Sequence, residues 1–87
     1  MYQTISEYIE YLELEKGLAQ NSIDAYRRDL ENFADNIQPT DLYEIDRITI
    51  NSYIRKLKEL KLAPTSIIRK VATIRGFFKW ANANDII

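Results

Sequence analysis

Between Ala63 and Asn84 the chain carries no acidic residue, and within that stretch Ile67, Val71, Ile74, Phe78 and Ala81 recur at steps of four, three, four and three. Apolar residues at that spacing line one side of an α-helix; a strand, with its period of two, cannot use them that way. Pro64 suits the first turn, where its missing N–H is no loss. The spacing predicts a helix over 64–82, roughly 28 Å long at the usual rise per residue. Opposite the stripe stand Thr65, Ser66, Arg69, Lys70 and Thr73, with Arg75 and Lys79 along the flanks. The ordinary reading of a charge run is a solvated face. Solvated faces mix signs, however, and this one does not, so it is suited to meet something negative.

The rest of the chain reads the same way. Thr4 and Glu7 have capping-box spacing, and Ile5, Tyr8, Ile9 and Leu12 follow as a stripe, which predicts a helix over 4–16. Gly17 supplies its left-handed stop. Asn21 is expected to cap a second helix over 21–36, with Ile23, Tyr26, Leu30 and Phe33 inward. Asp29, Glu31 and Asp35 turn its far end negative. Residues 37–47 contain Pro39 and show no helical period; Leu42, Tyr43, Ile45 and Ile48 are expected to tuck against the helices. Thr49 is expected to cap a third helix over 49–61, whose stripe is Ile50, Tyr53, Ile54, Leu57 and Leu60. The β-branched residues follow these stripes and nowhere alternate, so the expected fold is a compact all-α four-helix bundle, a single domain over 1–87.

The chain has no Cys and no His. Disulfides, thiolate or imidazole metal sites and His-dependent triads are therefore excluded. Gly17 and Gly76 are its only glycines, so it has no Gly-rich phosphate loop and no cofactor motif. Tyr8, Tyr26 and Tyr53 lie on core stripes, and the other three tyrosines have no local activating base. No residue is assigned to catalysis. No apolar run approaches a membrane span and the N-terminus lacks a signal pattern, so a cytoplasmic location is expected.

Net charge is −1, which at face value argues against a polyanionic partner. The distribution argues for one. Residues 1–46 hold eleven acidic and three basic residues, a net of −8; residues 47–87 hold nine basic and two acidic, a net of +7. Salt screens charges beyond about 8–10 Å, so what a partner meets is the local field. Two of the helix starts add to it. Asn21 and Ser22 open the second helix, Thr65 and Ser66 the fourth, and each pair is followed by Arg or Lys. Capping needs one such residue; a second can bond phosphate at the positive end of the helix. Arg69 is long enough to reach guanine edges in a major groove, and Lys70 and Lys79 would position without specifying.

Residues 14–33, LEKGLAQNSIDAYRRDLENF, resemble the signature of the core-binding domain of tyrosine recombinases, in the Xer and phage-integrase branch. Residues 62–81, LAPTSIIRKVATIRGFFKWA, resemble its later part, and the likeness runs over about 4–84. The resemblance implies a SAM-like bundle that clamps one face of a duplex recombination site, its second and fourth helices approaching adjacent major grooves. It also implies a separate C-terminal catalytic domain in the same protein, other recombinase protomers on the DNA, and a fragment that is itself non-catalytic and monomeric. Carried onto this sequence, the implied DNA contacts are Asn21, Ser22, Ala25 and Arg28 on the second helix and Thr65, Ser66, Arg69, Lys70 and Thr73 on the fourth. Arg27 and Arg75 match frequently basic positions, where they meet DNA or brace the acidic helices; both readings stay open. The acid-rich first helix departs from a uniformly basic picture.

The alternative is a helical protein-interaction module of the SAM or death-domain type, whose oppositely charged ends would associate head to tail. Charge polarity fits both readings; the paired Ser/Thr starts and the recombinase signature fit only DNA binding. A helix-turn-helix repressor fits less well, because only Leu62-Ala63 separates a long third helix from the fourth.

Overall fold

A computed structural model describes residues 1–37 and 41–87. Its element order is α1 (Tyr2–Leu14), α2 (Gln20–Asp35), a single 3-10 turn (Leu42–Glu44), α3 (Arg47–Glu59) and α4 (Pro64–Ala83). Four α-helices and no strand stand among the described residues, as expected of an all-α bundle. Pro39, expected in the connector, lies outside the described residues. The molecule measures 35 × 28 × 18 Å, and its short dimension is close to two helix diameters. α2 packs against α1 and α4, and α4 also touches α1 and α3.

α1 and α2 bury most of their expected stripes, whereas α3 fully buries only Tyr53 and Leu57 and α4 only Ile74 and Ala81 of theirs, and the boundaries move for local reasons. α1 opens at Tyr2, two residues early, with Met1 as N-cap; Thr4 lies inside the helix and caps nothing. Gly17 adopts φ +61°, the left-handed stop. α2 opens at Gln20 from the extended Ala19, so Asn21 is not the cap but joins Ser22 inside the first turn. α3 is capped by Asp46 rather than Thr49. The Asp46 carboxylate accepts from the Thr49 backbone N–H at 2.9 Å and its hydroxyl at 3.0 Å, which holds the Asp46 carboxyl below its ordinary range. An ionised carboxylate there meets orphan N–H groups and the positive helix end together, which a threonine hydroxyl cannot match. In the connector Leu42 is buried and Ile45 half-buried, whereas Tyr43 and Ile48 stand exposed. Leu60 is also exposed, because α3 ends one residue before it.

The core is an aromatic cluster set in aliphatic side chains. Phe33 meets Tyr53 edge-on at 5.1 Å and Phe78 at 6.2 Å; Tyr8 meets Phe77 edge-on at 5.5 Å and Trp80 at 5.2 Å. In α4 the fully buried positions are Thr73, Ile74, Phe77 and Ala81, while Ile67, Val71 and Phe78 are half-buried. The inward face of α4 is thus turned about its axis from the one expected, toward Lys70, Thr73 and Phe77. This side of α4 meets a buried acid on α2.

Candidate nucleic-acid interface

Asp29 is 1% exposed, between Arg28 and Leu30 on a helix whose Asp24 and Asp35 are exposed and whose Glu31 is half-buried. A buried carboxylate is costly unless donors surround it. Three do so, all from α4, with a hydroxyl beside them. Arg69 donates from Nε to Oδ2 and from Nη2 to Oδ1, each at 3.0 Å. Lys70 Nζ donates to Oδ1 at 3.0 Å, and the Thr73 hydroxyl lies 3.5 Å from Oδ2 while donating to the Arg69 carbonyl at 2.9 Å. The pairing with Asp29 raises the Arg69 guanidinium further above its ordinary value. Asp29 also reaches α3. Burial, and secondarily the Asp29 charge, pushes the Tyr53 phenol up to about 12. Tyr53 in turn donates to the Asn32 side chain, and Lys56 to Asn36 at 3.1 Å, which ties α3 to α2.

This arrangement sorts the residues singled out in the sequence. Asn21, Ser22 and Arg28 are exposed on α2, with Ala25 and Arg27 half-buried. Thr65, Arg69, Arg75 and Lys79 are exposed on α4, with Ser66 half-buried. Thr73 does not belong with them. It is 5% exposed and its hydroxyl is committed within the bundle, so it is not available to a partner. Lys70 also turns inward; its side chain is only 16% exposed and its ammonium sits on Asp29. Arg69 is neither free nor buried. Its side chain is 48% exposed, with one edge of the guanidinium held by Asp29. No ion pair joins Arg27 or Arg75 to an acid among the described residues.

Two features escaped the sequence reading. In the sequence Asp29 counts only toward the negative far end of α2, although it lies three residues after Tyr26 and four before Phe33, on the inward arc. That position was the available signal. Lys16 was the other. It lines a cleft of about 360 Å³ together with Arg69, Tyr8 and Tyr26, so the end of the acidic helix contributes a cation beside α4.

The exposed residues singled out on α2 and α4 therefore offer amide, hydroxyl and guanidinium donors; α2 also exposes Asp24, whereas α4 is free of acids between residues 63 and 84. The acids of α1, Glu7, Glu10 and Glu13, are exposed as well. No group of three or more His, Cys, Asp or Glu among the described residues is placed to hold a metal ion. Among the described residues no helix is long and apolar enough to cross a membrane.

The all-α bundle is a SAM-like domain: the chain belongs to the family described as phage integrase, N-terminal SAM-like domain, which matches residues 5–85. Among curated proteins it is 34% identical to tyrosine recombinase XerC of Pediococcus pentosaceus, over 98% of this chain and 30% of that protein. It is 39% identical to a tyrosine recombinase of Agathobacter rectalis, over 95% of this chain and 27% of that one. It is 37% identical to XerD of Staphylococcus haemolyticus, over 93% and 28%. The chain thus spans less than a third of the length of these relatives. No solved structure gave a significant match.

Proposed function

We propose that this domain binds duplex DNA as the N-terminal clamp of a site-specific tyrosine recombinase, with α2 and α4 facing the major groove. The observation that carries the reading is the acid-free outer face of α4, where Thr65, Arg69, Arg75 and Lys79 are all exposed. Asn21, Ser22, Ala25 and Arg28 extend that face along α2, and Ser66 and Arg27 border it. Arg75 and Lys79 neutralise phosphates; the open first turn of α2 offers backbone N–H groups, an amide and a hydroxyl to another. Lys70 and Thr73 serve the face from behind, by holding Arg69 and Asp29.

In this reading the domain cuts nothing. Strand breakage and rejoining belong to a C-terminal catalytic domain of the same protein, acting in the cytoplasm with other protomers on the recombination site. A half-clamp alone binds weakly and with little sequence preference beyond a single base pair, so Kd for a random duplex should fall near 10⁻⁴–10⁻⁶ M at physiological salt.

The competing reading is head-to-tail association, favoured by the exposed Glu7, Glu10 and Glu13 opposite a basic half. Fluorescence anisotropy of a labelled random duplex across a salt series, run beside size-exclusion chromatography, separates the two. DNA binding predicts a monomer whose duplex affinity falls linearly on a log–log salt plot. Oligomers at tens of micromolar protein, with no duplex binding at low salt, would replace this reading with the other.

A further inference from the structure

A guanidinium has five N–H donors arranged as forks along its edges. In Arg69 the edge made by Nε and Nη2 is closed by the two oxygens of Asp29, each at 3.0 Å. Three donors remain, two on Nη1 and one on Nη2, and one from each of these nitrogens makes the end-on fork. The side chain is about half exposed while its carboxylate partner is buried, so the guanidinium is held from within the bundle and its remaining donors are the ones left for a ligand. Asp29 cannot follow a ligand outward. It is held by Lys70 as well, with Thr73 beside it.

We propose that Asp29 is the positioning residue of the DNA face, fixing Arg69 so that only its end-on fork is presented, which makes Arg69 a reader of one guanine. The inference rests on the DNA-binding reading above and adds to it a source of specificity. An unheld arginine sweeps many rotamers and settles on the nearest phosphate, whose charge outweighs a neutral base edge. Side-on pairing removes that freedom before DNA arrives, and less entropy is then lost when the fork meets guanine O6 and N7. Asp29 also offsets one positive charge where Arg69 and Lys70 lie side by side. The face is therefore less attractive to phosphate in general and more selective at one place.

The consequence runs against simple charge counting. Asp29→Asn leaves an amide of the same shape but adds one net positive charge and releases Arg69 and Lys70. Total binding to a duplex pool should tighten and its salt slope should steepen by about 0.9, one extra phosphate contact. The guanine preference should meanwhile fall about tenfold, within the discrimination a bidentate contact supplies. A merely structural role for Asp29 predicts a uniform loss of binding instead.

The probe is a duplex pool with a randomised core, bound and free fractions being sequenced for the wild type, Asp29→Asn and Arg69→Lys. The wild type should enrich guanine at one position. Arg69→Lys keeps a cation but has no fork, and should lose that enrichment. Should Asp29→Asn fail to fold, the arginine side-chain resonances of the wild-type protein carry the test. On adding the pool, the Nη protons of Arg69 should shift while its Nε–H stays in place. Retained guanine enrichment in Asp29→Asn or Arg69→Lys overturns the proposal, as does a shift of Nε–H comparable to that of Nη. Wild-type binding without any guanine preference also overturns it and leaves the DNA-binding reading standing. No binding to the pool at low salt removes both.

Discussion

Gly76 of α4 lies so close to Tyr8 of α1 that an added Cβ would stand 3.0 Å from the Tyr8 hydroxyl oxygen. Gly76 is helical, so its place is explained by contact and not by backbone freedom. Alanine would favour the helix by about 1 kcal/mol, while forcing a close contact in a packed core costs about 1–3 kcal/mol. Tyr8 has little room to yield, since its ring lies against Tyr11, Phe77 and Trp80. Gly76→Ala should therefore be mildly destabilising. In a Tyr8→Phe background the same change should become stabilising, because the atom in the way is gone. Urea melts of the four proteins in the double-mutant cycle check this; a coupling near zero would contradict it.

Phe77 and Phe78 are adjacent, and the fold ranks them. Phe77 is 0% exposed between Tyr8, Phe78 and Trp80, whereas Phe78 is half-buried. Phe77→Ala should cost about 3–5 kcal/mol, which in a domain of this size threatens folding itself. Phe78→Ala should cost clearly less. Equal midpoints for the two variants would mean that α4 is rotated back toward its Phe78 side.

The buried Tyr53 predicts an alkaline limb. Its phenol ionises at an ordinary 10.0 when unfolded and at about 12 when folded. The folded state thus favours the protonated form. The stability this contributes is complete below pH 10 and is lost as pH rises through the interval to about 12. In an ultraviolet titration Tyr53 should be among the last tyrosines to ionise, and Tyr53→Phe should remove that late phase. A titration in which all tyrosines ionise together near 10 would contradict the burial of Tyr53.

The four helices were legible because each carries a stripe that only a 3.6-residue period explains, and no long-range information was needed. Their ends were less so. Thr4, Asn21 and Thr49 each look like caps, yet the helices run past them, to Met1, Ala19 and Asp46. Capping depends on which neighbour offers the better acceptor, and at α3 an aspartate three residues upstream wins. The exposure of Asn21, Ser22, Arg28 and Thr65 was readable as well, since they are simply polar residues on outward arcs. The Asp29 node was not. An acid beside Arg28 reads as solvated, and its partners lie 40 or more residues away on another helix. Spacing within α2 marks Asp29 as inward, but only the packing of α4 shows why a charge can stay there. The same packing turned α4, moving Phe77 to the centre and taking Thr73 and Lys70 from the outer face.

The claim at the centre of this account is that one face, shared by α2 and α4, meets the duplex. The most direct measurement is to record backbone amide shifts of the isotope-labelled domain while a random duplex is added at low salt. The amides of residues 20–28 and 64–79 should move together in a saturable way, with those of residues 5–13 on the acidic helix nearly still. Shifts centred on residues 5–13, or scattered over the bundle without a common affinity, would contradict the account.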